Sequence, residues 1–209
     1  MDTDLYKYEK ELYDQNYEYI GGVDEVGRGP LIGDVVAACV VLPRDFVLEG
    51  LTDSKKLSEK KRNEYYDYII KHCIAYGIGR VHPDEIDKIN IYEASRKAML
   101  KAISKVRKQI DLQYVLVDAM PLPTLDIGVS SIIKGDAKSI SIAAASVVAK
   151  VTRDNDMYKL DKKYPLYGYA LHKGYPTKRH IEAINKYGLI DGYRKTYGPV
   201  KKVFLIFQF

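Results

Sequence analysis

Residues 19–42 read YIGGVDEVGRGPLIGDVVAACVVL. The run over 35–42 is continuous and β-branched, the mark of a strand buried on both faces. Before it, residues 19–23 make a shorter apolar strand closed by Asp24 and Glu25, and then comes the glycine-rich Val26-Gly27-Arg28-Gly29-Pro30. Successive strand residues point to opposite faces, so two adjacent acids ending an apolar strand put one of them against the core. That burial is costly unless something positive meets it. Two glycines around Arg28 permit a backbone shape that β-carbons obstruct, and they bring main-chain N–H and C=O groups close to a ligand. Arg28 suits a phosphate. The competing reading is a tight turn with a solvated arginine.

Outward from this stretch, strands and helices alternate. Residues 1–18 read as a polar helix, 58–70 as a helix with Ser58 as its N-cap, and 73–81 as a third strand. Residues 91–106 have helical spacing, with Ala94, Ala98, Met99, Ala102 and Ile103 on one face. YVLV at 114–117 is a short buried strand stopping at Asp118, and 130–133 is another, ending near Gly135-Asp136. ISIAAASVVAKV at 140–151 predicts a buried helix that packs closely, and 178–186 a helix within a Tyr-, Gly- and Lys-rich end. This order predicts an α/β fold with a mixed sheet.

The chain has 209 residues, 46% hydrophobic and 29% charged, which excludes a disordered tail, a collagen-like fibre and a disulfide scaffold. No apolar run approaches the roughly 20 residues of a membrane span, and the polar opening MDTDLYKYEKELYDQ has no signal-peptide core. We expect one domain, a core over about 18–155 and a C-terminal substrate-contacting segment over about 156–209. Cys39 and Cys73 lie in apolar stretches and read as buried thiols in a reducing cytoplasm. The formal charge of +5 hints at a polyanionic partner. The lack of heptads favours a monomer.

Asp24-Glu25, Asp118 and Asp136 each follow an apolar strand. A hydrolase using two divalent ions about 3.5–4 Å apart needs several carboxylates converging from different elements. Hard Mg²⁺ or Mn²⁺ prefers such oxygen ligands. Against this, a lone acid after a strand is often a turn former or a helix N-cap.

The stretch GGVDEVGRGPLIGDVVAACVVLP closely resembles the opening motif of the type 2 ribonucleases H, the ribonuclease HII family. LTDSKKLSEKKR, EIDKINIYEASRKAM, IIKGDAKSISIAAASVVAKVTRD and YPLYGYALHKGYPTKRHIEAINKYG agree with it in order and spacing, over about residues 18–200. The resemblance implies an RNase H-like mixed sheet flanked by helices, with a helical C-terminal part. It implies hydrolysis of the RNA strand of RNA/DNA hybrids, and incision 5′ to single ribonucleotides embedded in duplex DNA, leaving 5′-phosphate and 3′-hydroxyl ends. Such an enzyme serves ribonucleotide removal from DNA and replication primer removal.

By that resemblance Asp24, Glu25, Asp118 and Asp136 are the carboxylates that hold two divalent ions. Gly27, Arg28 and Gly29 match the motif whose backbone contacts the ribose 2′-hydroxyl, the one group that separates RNA from DNA. Tyr175 matches the tyrosine that stacks on the next deoxyribose. Lys55 and Lys56 look like phosphate contacts, or else a solvated helix lead-in. His172 and His180 are expected at the surface or near phosphate. The basic stretch 195–202 lies near nucleic acid or is merely solvated.

Some features depart from the family pattern. Asp118 is followed by Ala119-Met120 where Gly-Asn is usual, Asp34 stands where proline is commoner, and the end VFLIFQF lacks a full glutamine-led sliding-clamp motif, so it is expected to pack on the body. The type 3 enzymes lack the arginine between these glycines and usually carry an N-terminal platform, so type 2 fits better. A hybrid-binding module with a dead site and a general two-metal nuclease are the competing readings.

Overall fold

A computed structural model describes residues 4–51, 54 and 57–206. After helix α1 (Lys7–Asp14) the chain builds β1 (Ile20–Val26), β2 (Val35–Val41), α2 (Glu59–His72), β3 (Ala75–Val81) and α3 (Pro83–Arg107). Then follow β4 (Tyr114–Asp118), β5 (Gly128–Ile132), a 3-10 turn (Gly135–Ala137) and α4 (Ile140–Lys163). The C-terminal part is helical: α5 (Tyr169–His172), α6 (Lys178–Tyr187) and α7 (Gly198–Ile206). Sheet order is β3-β2-β1-β4-β5. β1–β2 and β2–β3 are antiparallel, while β1–β4 and β4–β5 are parallel. The expected mixed sheet flanked by helices is the fold observed.

β2 is buried at every residue because both faces are covered. Cys39 and Val41 pack with Ala98, Met99 and Ala102 of α3, whereas Ala38 and Val40 pack with Ala144, Val147 and Val148 of α4. The closeness of α4 depends on Gly22, where a β-carbon would lie 2.0 Å from the backbone carbon of Ser141. Side-chain caps start three helices, with Ser58, Ser139 and Thr177 accepting from the N–H groups of Lys61, Ile142 and His180.

Several boundaries differ from expectation. β1 runs on through Asp24 and Glu25 rather than stopping before them, because its pairing with β2 continues to Val26↔Val36. α3 begins at Pro83, a residue suited to the first helical turn. It kinks at Asn90 (φ 67°), whose side chain caps the second half through the N–H groups of Tyr92 and Glu93. α4 extends twelve residues beyond the expected 151, to Lys163. Cys39 is fully buried, but Cys73 is only half-buried at the end of α2. In α7, Val200 and Val203 pack into a core with Leu31, Ile32, Tyr169 and Tyr193, so this part of the C-terminal stretch does lie on the body. Residues 207–209 fall outside the described residues. No helix among the described residues is long and apolar enough to cross a membrane.

Candidate active site

Strand register brings the acids together. β1 and β4 are parallel neighbours paired as far as Val23↔Val117, so Asp24 and Asp118 are the next residues on each strand, at the same edge. The 3-10 turn after β5 adds Asp136. Asp24, Asp118 and Asp136 each offer a carboxylate oxygen, and these lie within 4.8 Å of one another. Asp118 is oriented by its Oδ1 accepting from the Gly135 N–H at 2.7 Å. Asp24 is 7% exposed and Asp136 8%.

The electrostatics are those of carboxylates crowded together in a largely buried site. Burial, then the charges of Glu25 and Asp118, hold the Asp24 carboxyl well above the usual carboxylate range. The Ser146 hydroxyl and the Glu25 N–H, 2.7 Å from Asp24 Oδ1, pull the other way. Glu25 is outside the three-acid group, yet after burial its charge is the next cause of the rise at Asp24. The Glu25 carboxyl is raised by burial and by Asp118, against the pull of Arg28 at 3.5 Å. An all-oxygen donor set of converging, mutually repelling carboxylates fits a hard divalent cation.

Beside the acids, the Gly27-Arg28-Gly29 loop and Tyr175 meet directly. A β-carbon on Gly29 would sit 3.3 Å from the Tyr175 ring, and the Leu31 N–H donates to the Gly174 carbonyl at 2.8 Å. Gly27 has φ +94°, and a β-carbon there would lie 2.4 Å from Nε of Arg153, so no other residue fits. Arg28 and Tyr175 are 47% and 40% exposed, available to a ligand. Lys55 and Lys56 lie outside the described residues. Their neighbour Ser54 is buried, its hydroxyl 2.8 Å from that of Ser146, and its carbonyl accepts from Arg62.

His172 and His180 are corrected outright: both are buried and stacked, ring centroids 4.3 Å apart. His172 Nδ1 accepts from the Gly174 N–H, so its Nε2 donates to the Tyr167 carbonyl. His180 Nδ1 donates to the Tyr175 carbonyl at 2.9 Å, and its Nε2 accepts from the Tyr193 hydroxyl at 2.7 Å. The accepting nitrogen makes the His172 ring neutral, burial pulls His180 down to about 4, and His180 is a support for Tyr175 rather than a surface group.

Sequence reading also missed Ser146, Arg153 and Arg194. Ser146 and Arg153 are seven residues apart on α4, one face two turns on, which is the signal that would have linked a hydroxyl and an arginine inside an otherwise apolar helix. Asp34 does not disturb the entry to β2; it pairs with His82 at 2.7 Å and with Arg80.

A five-stranded mixed sheet carrying three acids at one edge, closed by helices, is the outline of the RNase H fold. The ribonuclease HII family profile matches residues 21–198. A ribonuclease HII from Bacillus mycoides (strain KBAB4) is 54% identical over 198 residues, 95% of this chain and 76% of the relative. The solved ribonuclease H2 from Pyrococcus horikoshii OT3 is 29% identical with a TM-score of 0.76, covering 91% of this chain and 99% of that one. An RNase HII solved in complex with PCNA, from Archaeoglobus fulgidus, is 25% identical with a TM-score of 0.69, covering 86% and 95%. The chain belongs to the ribonuclease HII family.

Proposed function

We propose that this chain is an endoribonuclease acting on RNA/DNA hybrids and on duplex DNA with single embedded ribonucleotides, cutting 5′ to the ribonucleotide to leave 5′-phosphate and 3′-hydroxyl ends. The observation that carries this reading is the convergence of Asp24, Asp118 and Asp136 within 4.8 Å, beside a glycine loop in contact with Tyr175. Asp24, Glu25, Asp118 and Asp136 would hold two divalent ions, Mg²⁺ or Mn²⁺. Such ions lower the pKa of a bound water and stabilise charge on the leaving oxygen.

The chain's own residues supply the rest. Asp118, fixed by the Gly135 N–H, and Asp24, fixed by Ser146 and the Glu25 N–H, keep their lone pairs aimed at one point. The Gly27–Gly29 loop offers backbone N–H groups to a 2′-hydroxyl, while Arg28 faces solvent where a phosphate would approach. Tyr175 presents a flat ring against Gly29, suited to testing the next sugar. Lys55 and Lys56 would add phosphate contacts.

The test is cleavage of a labelled DNA duplex carrying one ribonucleotide, with Mg²⁺, Mn²⁺ or EDTA. A metal-dependent cut 5′ to the ribonucleotide is expected, with no cutting of all-DNA duplexes or junctions. Cleavage of a long hybrid alone would discard the single-ribonucleotide reading, and silence on both would favour a hybrid-binding protein.

A further inference from the structure

The loop proposed to contact the ribose is held from beneath by the chain's far end. Residues 192–197 lie along residues 31–33: the Gly33 N–H donates to the Gly192 carbonyl, the Arg194 N–H donates to the Leu31 carbonyl, and Ile32 bridges Tyr193. This brings Arg194, fully buried, under the loop. Its guanidinium donates to the carbonyls of Gly27 (2.6 Å), Arg28 (2.9 Å) and Gly33 (2.8 and 3.1 Å). No described carboxylate forms an ion pair with it. The Tyr197 hydroxyl accepts from Arg194 Nη1 at 3.0 Å and donates to the Arg28 carbonyl at 2.7 Å, closing a triangle. Asp87 of α3 anchors the same segment through the N–H groups of Lys195 and Thr196 and the Thr196 hydroxyl.

A buried guanidinium whose charge is met by carbonyls alone is expensive unless the geometry is fully satisfied. Here that geometry dictates the orientation of two peptide groups. With the Gly27 and Arg28 carbonyls turned inward, the N–H groups on the same peptides, those of Arg28 and Gly29, are turned the other way, since a peptide's C=O and N–H are antiparallel. Neither of those two N–H groups donates within the described protein.

We infer that Arg194 and Tyr197 are positioning residues that set the preference for ribose at the cut, by locking the Gly27–Arg28–Gly29 peptides in the orientation that meets a 2′-hydroxyl. This rests on the reading that the loop contacts that hydroxyl. Neither residue is a catalytic residue: both act through the loop.

The test uses the full chain with Mg²⁺ or Mn²⁺ on two duplexes identical except at one position, ribose in one and 2′-fluororibose in the other. The quantity read is the ratio of kcat/KM values, which is independent of the fraction of enzyme folded because both substrates meet the same active sites. Wild type should prefer ribose. Tyr197→Phe removes one hydroxyl and should shrink that preference by about tenfold, roughly the worth of one net hydrogen bond, almost wholly through loss on the ribose duplex. Arg194→Lys keeps the charge, loses the fork and should shrink it further. Equal losses on both duplexes, or no change on either, would leave the two residues merely structural and overturn the inference. A wild type indifferent to the 2′ group would instead remove the loop's reading role, and the inference with it.

Discussion

Two sets of buried or half-buried like charges flank the end of β1, and they are solved in opposite ways. On one side Asp24, Asp118 and Asp136 converge, and Asp24 is pushed up by burial and by its acidic neighbours. On the other, Arg153 and Arg194 are both buried; burial and the nearby Arg194 charge pull the Arg153 guanidinium down to about 10. The arginines are saturated: Arg153 donates to the carbonyls of Asp34, Lys173 and Ile32, as Arg194 does to those of Gly27, Arg28 and Gly33. The acids instead crowd one another, with Asp24 accepting from Ser146 and the Glu25 N–H and Asp118 from the Gly135 N–H. A saturated buried charge is scaffold, whereas carboxylates held against one another are the kind of group that the proposed cations would relieve.

The largest test breaks the acidic half. Asp24→Asn should lower cleavage at least about 10³-fold, as loss of a group fixing charge at the reacting centre does. The same change should raise the melting temperature of the metal-free protein by about 2–4 °C, from on the order of 1 kcal/mol of relieved burial and repulsion. Mg²⁺ or Mn²⁺ should raise the wild-type melting temperature and leave the variant's nearly still. A variant that cuts normally, or melts lower without metal, would mean that the acids are not strained toward a cation.

The matching break of the basic half should read in stability. Arg153→Met fills similar space but leaves three buried carbonyls without a donor, a loss of about 3 kcal/mol or more, seen as a fall of roughly 6–12 °C in melting temperature. Metal should still stabilise the variant. A melting temperature within a degree or two of wild type would show that those carbonyls find water, and that Arg153 is not a strut.

Much of this arrangement was legible in the sequence, but unevenly. The β-branched run over 35–42 gave β2, because a strand covered on both faces is apolar throughout. The acids stood out because each interrupts an apolar pattern, yet the same interruption hid that β1 continues through Asp24 and Glu25. Pairing with β2, a long-range fact, settles that boundary. Arg153, Arg194, His172 and His180 were illegible for a different reason. Residue type alone makes them look solvated, and nothing local announces that the loops at 27–34 and 173–175, and Tyr167 for His172, supply carbonyls to bury them.

Those histidines give a smaller, pH-resolved test. Burial first, and then the His172 charge, pull His180 down to about 4 against the Tyr175 carbonyl. The unfolded chain binds a proton there near the ordinary value of about 6.5. Between about 6.5 and 4 the unfolded state therefore holds more protons, so this group's contribution is complete above 6.5 and is lost as pH falls through that window, up to about 3 kcal/mol. His172, also lowered by burial, acts in the same direction. Asp24, Glu25 and Glu9, all raised, act in the opposite one, since protonation relieves them. His180→Gln should therefore be less stable than wild type at pH 7 but show a shallower loss of denaturant midpoint from pH 6.5 to 4. Parallel slopes would mean that the ring is already charged in the folded protein.

The smallest effect sits at the seam of the acidic half. Ala119, directly after Asp118, has φ +50°, a left-handed conformation that a β-carbon disfavours by about 1–2 kcal/mol. It is held there because its N–H donates to the Ile132 carbonyl at 3.0 Å, while the following Met120 and Leu122 are buried in the core under α3. The family's usual glycine at this position would adopt that shape freely, so this chain keeps the turn and carries the strain. Ala119→Gly should relieve it, partly offset by the greater freedom of glycine in the unfolded chain. The net gain is about 0.5–1 kcal/mol, or roughly 1–4 °C. Asp118 should stay where it is, because its carboxylate is fixed by the Gly135 N–H and by β4 rather than by Ala119. Cleavage rates and metal stabilisation should therefore match wild type. A gain in melting temperature accompanied by loss of cleavage would show instead that the strained alanine helps to aim Asp118.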